Sequence, residues 1–153
     1  MDQPEQPRPK PPAPPLSEVP EPGDVRIDGA AGSLLIVDDD DAVRSFVCLA
    51  CRRLGYHVFE ATNGVEALKI FEDNPGRISV VLTDINMPRM DGRALITALR
   101  KFPSVPGIAV MSGRMNPEMR TTLRADGVTA LLDKPFSTAT LKLILQQAVT
   151  ARA

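Results

Sequence analysis

The stretch LLIVDDDD, residues 34–41, sets four carboxylates directly behind four apolar residues. At an effective dielectric of about 20, two unit charges ~4 Å apart repel by roughly 4 kcal/mol, so such crowding needs a compensating cause: a helix cap, open solvent or a cation. The apolar run is short and uninterrupted, as a strand covered on both faces is. Behind the acids, Val43, Phe46, Val47, Ala50 and Leu54 recur at helical spacing. A buried strand ending in acids and followed by an amphipathic helix is a β-α unit.

The unit repeats along the chain. Leu34–Val37, Tyr56–Glu60, Ile78–Thr83, Ile108–Ser112 and Thr129–Asp133 read as strands, separated by longer amphipathic segments with legible ends. The first helix runs from about Ala42 and closes at Gly55. The second takes Asn63 as its N-cap, with Glu66 three residues on in a capping-box pattern. The third starts near Asp91-Gly92 and stops before Pro103. The fourth opens at Asn116-Pro117 and closes at Gly127, and the fifth follows Ser137. Five such units with short connections predict an α/β fold, a doubly wound five-stranded parallel sheet with helices on both faces.

Composition bounds the rest. The chain has 153 residues and 15 prolines, nine of them before Gly23. Residues 1–32 have too few large apolar side chains to offset their ordering entropy and read as a disordered, proline-rich tail or linker. Residues 33–153 read as one folded domain. Arg8, Pro11 and Pro14 stand at R-x-x-P-x-x-P spacing, which a polyproline-binding groove could read, but a plain linker is the first expectation. The tail carries six acids and three bases and the domain 13 and 15, so neither is a basic patch for nucleic acid. No run approaches the ~20 apolar residues of a membrane span, and no signal-peptide pattern opens the chain. A cytoplasmic protein without membrane or nucleic-acid partners is expected. Cys48 and Cys51 form a C-x-x-C, but mid-helix and with His57 as the sole histidine they read as ordinary helix residues rather than a redox or zinc site.

In such sheets function gathers beyond the carboxyl ends of the strands. Those ends hold Asp38 and Asp39, then Asp84, Ser112 and Lys134, while the second strand ends blandly in Glu60 and Ala61. With that strand at the edge, in the order 2-1-3-4-5, the other four are neighbours and their ends converge. Three carboxylates in one pocket suit Mg²⁺, a hard cation that takes one or two carboxylates, waters and a phosphate. Asp40 or Asp41 would instead cap the following helix. Metal, carboxylate, hydroxyl and lysine make a phosphoryl-transfer set: Asp84 can attack phosphorus, Mg²⁺ and Lys134 can stabilise its oxygens, and Ser112 can hydrogen-bond one of them.

The combination of LLIVDDDD, VVLTDINMPRMDG, AVMSG and LLDKPF also resembles the receiver domain of two-component response regulators, including the stand-alone chemotaxis type, over about residues 33–150. The resemblance implies the flavodoxin-like (β/α)5 fold and assigns Asp84 as phosphoacceptor. It implies Mg²⁺ held directly by Asp39, Asp84 and the backbone carbonyl of Asn86, with Asp38 acting through water. Ser112 and Lys134 would sense the phosphoryl group, and the Lys134–Pro135 peptide would be cis. The implied partners are a histidine kinase or histidine phosphotransfer protein upstream and a protein bound through the face of the fourth helix, fifth strand and fifth helix downstream. Leu131 departs from the family, which often carries a switch Tyr or Phe three residues before the lysine. Asn86 and Arg114 occupy positions that tune hydrolysis of the aspartyl phosphate in the family.

The leading expectation is therefore a phosphoacceptor switch that catalyses only its own phosphorylation and dephosphorylation. Because the chain ends at Ala153, with no output domain after the fifth helix, a C-terminal receiver fragment of a hybrid histidine kinase is an alternative. So is a degenerate receiver serving as a binding module. An aspartate-nucleophile phosphatase of the haloacid dehalogenase type ranks below these: Asn86 stands where its D-x-D pair needs a second Asp, and the chain has no room for a cap.

Overall fold

The computed structural model describes residues 33–151 with the exception of residue 88; the proline-rich stretch read as a tail lies outside the described residues. Five β-α units follow one another: β1 (Ser33–Val37), α1 (Asp41–Arg53), β2 (His57–Ala61), α2 (Gly64–Asp73), β3 (Ile78–Asp84), α3 (Gly92–Leu99), β4 (Gly107–Ser112), α4 (Pro117–Ala125), β5 (Ala130–Asp133) and α5 (Thr138–Ala151). The strands are parallel in the order β2-β1-β3-β4-β5, as the bland end of the second strand predicted.

Alternation along β1 builds two cores. Leu34 and Ile36 face α1 and α5 with Val47, Cys51, Leu82, Leu141 and Leu145, whereas Leu35 and Val37 face α2, α3 and α4 with Phe71, Val81, Leu95, Ile96 and Leu123. All four apolar residues of β1 are fully buried, which is why that stretch had to be continuously apolar.

The helix ends are set by side-chain caps. The Asp40 carboxylate accepts the N–H of Ala42 and Val43, Asn63 that of Glu66, Asp91 that of Ala94 and Asn116 that of Met119. The capping box at α2 is displaced by one residue, since Glu66 accepts from the N–H and hydroxyl of Thr62 rather than from the N–H of Asn63.

One helix face is corrected. Phe46 was expected on the buried side of α1 and is 46% exposed, while Cys48 and Cys51 are buried in the core. The buried stripe of α1 is Val47, Cys48, Ala50 and Cys51, with Val43 and Leu54 partly buried against the same core. Phe46 turns outward, its ring centroid 6.1 Å from that of Phe136. Both thiols are free and buried, and burial pushes Cys48 up to about 11 and Cys51 up to about 12, away from the lowered range of a redox thiolate.

Two of the glycines permit close approaches that bear on the sheet. A Cβ on Gly92 would lie 2.3 Å from the Asp84 carbonyl oxygen, so α3 can begin directly against the end of β3 only without one. A Cβ on Gly107 would lie 2.3 Å from the carbonyl oxygen of Ala148, where the last turn of α5 crosses the beginning of β4.

Candidate functional site

Parallel register brings the strand ends into one row: Val37 pairs with Thr83, Asp84 with Met111, and Ser112 with Asp133. Asp38 leaves β1 with its carboxylate fully buried. Its Oδ1 accepts the N–H of Asp40 at 2.8 Å and its Oδ2 accepts from Lys134 Nζ at 3.0 Å. Asp84 closes β3. Its Oδ1 accepts the N–H of Ile85 at 2.7 Å and its Oδ2 accepts from the same Lys134 Nζ at 3.2 Å. Asp39 is exposed, and one carboxylate oxygen from each of Asp38, Asp39 and Asp84 lies within 4.8 Å of the others.

Lys134 is the cation that reconciles these charges. Burial works against its ammonium, but the hydrogen bond to Asp38 and the charges of Asp84 and Asp38 outweigh that and hold its pKa above the ordinary lysine value. The Lys134 N–H donates to the Ser112 carbonyl at 2.9 Å, which locks the end of β5 to that of β4, and the Lys134–Pro135 peptide is cis. Ser112 is buried at the end of β4, with its Oγ accepting the N–H of Arg114 at 3.2 Å. Asn86 lies exposed two residues past Asp84, in a loop folded back by the Gly92 N–H donating to the Ile85 carbonyl. Five of the six predicted site residues thus converge from four strand ends, and Asn86 follows on the adjoining loop.

The four consecutive acids have four separate environments. Asp38 is buried against Lys134, Asp39 faces solvent beside the cluster, Asp40 caps α1, and Asp41 pairs with Arg44 at 2.7 Å. Sequence reasoning passes over Arg44, although an arginine three residues after an aspartate at a helix start is a readable i,i+3 pair. Beside Lys134 opens a groove of about 490 Å³ lined by Ala42, Val43, Phe46, Pro135 and Phe136. An apolar shelf therefore borders the acidic pocket.

Residues 34–146 match the response regulator receiver domain family. The chain belongs to that family. This receiver is 42% identical over 108 residues to the sensor kinase CckA of Brucella abortus, a match covering 70% of this chain and 11% of the kinase. It is 37% identical over 113 residues to the chemotaxis protein CheY1 of Helicobacter pylori, covering 71% of this chain and 90% of that protein. The solved chemotaxis response regulator CheY4 of Vibrio cholerae superposes with a TM-score of 0.70 at 32% identity, over 77% of this chain and 98% of that one. The relatives thus include both single-domain chemotaxis regulators and receiver domains of larger kinases. The chain spans only 6–16% of the length of the longer ones.

Proposed function

We propose that this receiver accepts a phosphoryl group on Asp84 from a histidine kinase or histidine phosphotransfer protein, in a Mg²⁺-dependent reaction, and that the modified form binds a downstream protein through α4, β5 and α5. The observation that carries the reading is the shared ammonium of Lys134, bonded at once to Asp38 and Asp84 beside the exposed carboxylate of Asp39. The Asp84 carboxylate oxygen forms a bond to phosphorus as the phosphorus–nitrogen bond of the donor phosphohistidine breaks, and that electron pair stays on the imidazole. Lys134, already in contact with Asp84, stabilises charge on the phosphoryl oxygens, and the Ser112 hydroxyl can turn to donate to one of them.

The donor set fits Mg²⁺: three carboxylates and no nitrogen or sulfur ligand. Asp39, Asp84 and the backbone carbonyl of Asn86 would hold the ion, with Asp38 contributing through water, and when bound it would neutralise the crowded oxygens of donor and acceptor. The exposed Phe46 and the partly buried Phe136 beside Lys134 give a protein donor an apolar surface to cover while its phosphohistidine reaches Asp84. Residues 33–153 form the receiver and residues 1–32 its tether. In this reading the protein works in the cytoplasm through protein partners. Its only chemistry is transfer to and release from its own aspartate. A second reading, service as the receiver of a hybrid kinase, is favoured by the higher identity to CckA than to CheY1.

Incubation with acetyl phosphate and Mg²⁺, followed by borohydride trapping and peptide mass spectrometry, should place a single label on Asp84. Labelling that survives Asp84→Asn would overturn the assignment. A phosphotransfer screen against histidine kinases and free phosphotransfer domains of the source organism would separate the two readings by which class transfers fastest.

A further inference from the structure

We propose that Arg44 is a positioning residue for the metal: it fixes the plane of the Asp38–Asp39 peptide and thereby aims the Asp39 carboxylate. The inference rests on the reading above that Asp39 is a direct Mg²⁺ ligand. Arg44 lies in the first turn of α1 with its side chain only 13% exposed. Its Nη1 donates to the Asp38 carbonyl oxygen at 2.9 Å, its Nη2 to Asp41 Oδ1 at 2.7 Å and its Nε to Glu60 Oε1 at 3.2 Å. The guanidinium therefore joins three elements: the β1–α1 loop, α1 itself and the end of β2.

The peptide it grips lies between two held ones, since the Asp40 N–H donates to Asp38 Oδ1 at 2.8 Å and so fixes the peptide after Asp39. The Asp38 N–H donates to the Ala61 carbonyl of β2 at 3.2 Å, which fixes the peptide before Asp38. The peptide after it, whose carbonyl belongs to Asp38 and whose nitrogen belongs to Asp39, is a rigid plane. Its carbonyl is held by Arg44, and Arg44 is held in turn by Glu60, a neighbour of Ala61 on β2. Rotation of that plane would swing the Cα–Cβ bond of Asp39. Among the described residues no hydrogen bond holds the Asp39 carboxylate itself, so its direction is inherited from the backbone.

A positioning role and a purely electrostatic one predict opposite signs. A guanidinium bonded to the Asp38 carbonyl, next to the acidic cluster, repels an incoming dication, so if charge alone mattered, removing Arg44 would strengthen Mg²⁺ binding. If Arg44 aims Asp39, removing it weakens binding in spite of the relieved repulsion. Arg44→Lys separates the two further, since lysine keeps the charge and loses the planar fork that reaches three acceptors at once.

The test is Mg²⁺ titration of wild type, Asp39→Asn, Arg44→Lys and Arg44→Gln by calorimetry, with amide spectra and thermal melts of the metal-free proteins. Wild type should bind in an Asp39-dependent way, and both Arg44 variants should bind about tenfold more weakly, as loss of a residue that orients a metal ligand does. The metal-free amide resonances of Asp39 and Asp40 should shift in both variants. Arg44→Lys binding like wild type, or Arg44→Gln binding more tightly, overturns the positioning role while leaving the metal site in place. Wild type showing no Asp39-dependent binding overturns the metal reading and this inference with it. If Arg44→Gln melts too low to titrate, the decision falls to Arg44→Lys, which retains the charge beside Asp41 and Glu60.

Discussion

The fold depends heavily on the pairing of Asp38 with Lys134, because among the described residues a carboxylate with no solvent access has one ammonium as its ion-pair partner. Removing one partner of a buried pair costs about 3–5 kcal/mol, and the 20% exposure of the Lys134 side chain places Lys134→Met at the lower end, near 3 kcal/mol. Chemical denaturation should show that loss, and Mg²⁺ should stabilise the variant more than wild type because it restores a cation to the pocket. The pH dependence has a definite sign. The folded pKa of Lys134 lies above the ordinary 10.5, so its contribution is fully present below about that pH and is lost as pH rises through the higher folded value. An alkaline melting series should show this loss in wild type and not in Lys134→Met. Asp39→Asn should act in the other direction: it relieves repulsion at an exposed position, raising metal-free stability by up to about 1 kcal/mol while removing Mg²⁺ binding. At this scale the identities of the acids, the serine and the lysine were legible, because their place at strand ends follows from hydrophobic pattern alone. Their individual environments were not. Burial of Asp38 and exposure of Asp39 depend on which way one loop turns, and no periodicity reports that.

Among the elements, the strand boundaries and the helix ends marked by a cap or a glycine (Asp40, Asn63, Asp91, Asn116, Gly55 and Gly127) were legible to within a residue or two, whereas α3, read as running up to Pro103, ends at Leu99. The miss on α1 has a simple cause. Ranking by hydrophobicity favoured Phe46 over two cysteines, whereas the helix turns Cys48 and Cys51 toward the sheet and Phe46 toward Phe136. The Asp91-Gly92 pair was read only as a helix start, yet it also sets how closely α3 approaches Asp84. Gly92→Ala should destabilise the domain by about 2 kcal/mol, within the usual cost of overpacking a filled site, and should slow labelling of Asp84 by acetyl phosphate, since α3 or the β3 end must give way. Arg89, in the same loop, has φ 69°. A left-handed backbone costs a side-chain-bearing residue roughly 1–2 kcal/mol, so Arg89→Asn, which tolerates that region better, should raise the midpoint of denaturation by the equivalent of about 0.5–1 kcal/mol.

For the whole molecule the question is how far a change at Asp84 travels. Lys134 is covalently next to Asp133, and Asp133 pairs with Arg120 of α4 at 2.6 Å, while the loop from Ser112 leads through Arg114 into the same helix. Two routes therefore reach α4 from the site. Turning a 1:99 equilibrium into 99:1 takes about 5.5 kcal/mol, which a few charge-assisted hydrogen bonds of ~1.5–3 kcal/mol each can supply. Leu131 is buried core on the face of the sheet toward α4 and has no hydroxyl to form a second latch, so a partial shift is expected. Amide shifts with beryllofluoride and Mg²⁺ should extend through residues 117–127, and Leu131→Tyr should enlarge them; changes confined to the ligand's immediate neighbours would favour a plain binding module. The crossing of Ala148 over Gly107 has a different consequence. It sets the last turn of α5 beside the beginning of β4, at the same pole of the sheet where Ser33 opens β1, and a five-residue strand of roughly 3.3 Å per residue keeps that pole about 16 Å from the acids. Both ends of the described chain leave from behind, like the two leads of a plug whose contacts face the other way, so cargo fused at either end should leave the labelling rate of Asp84 unchanged.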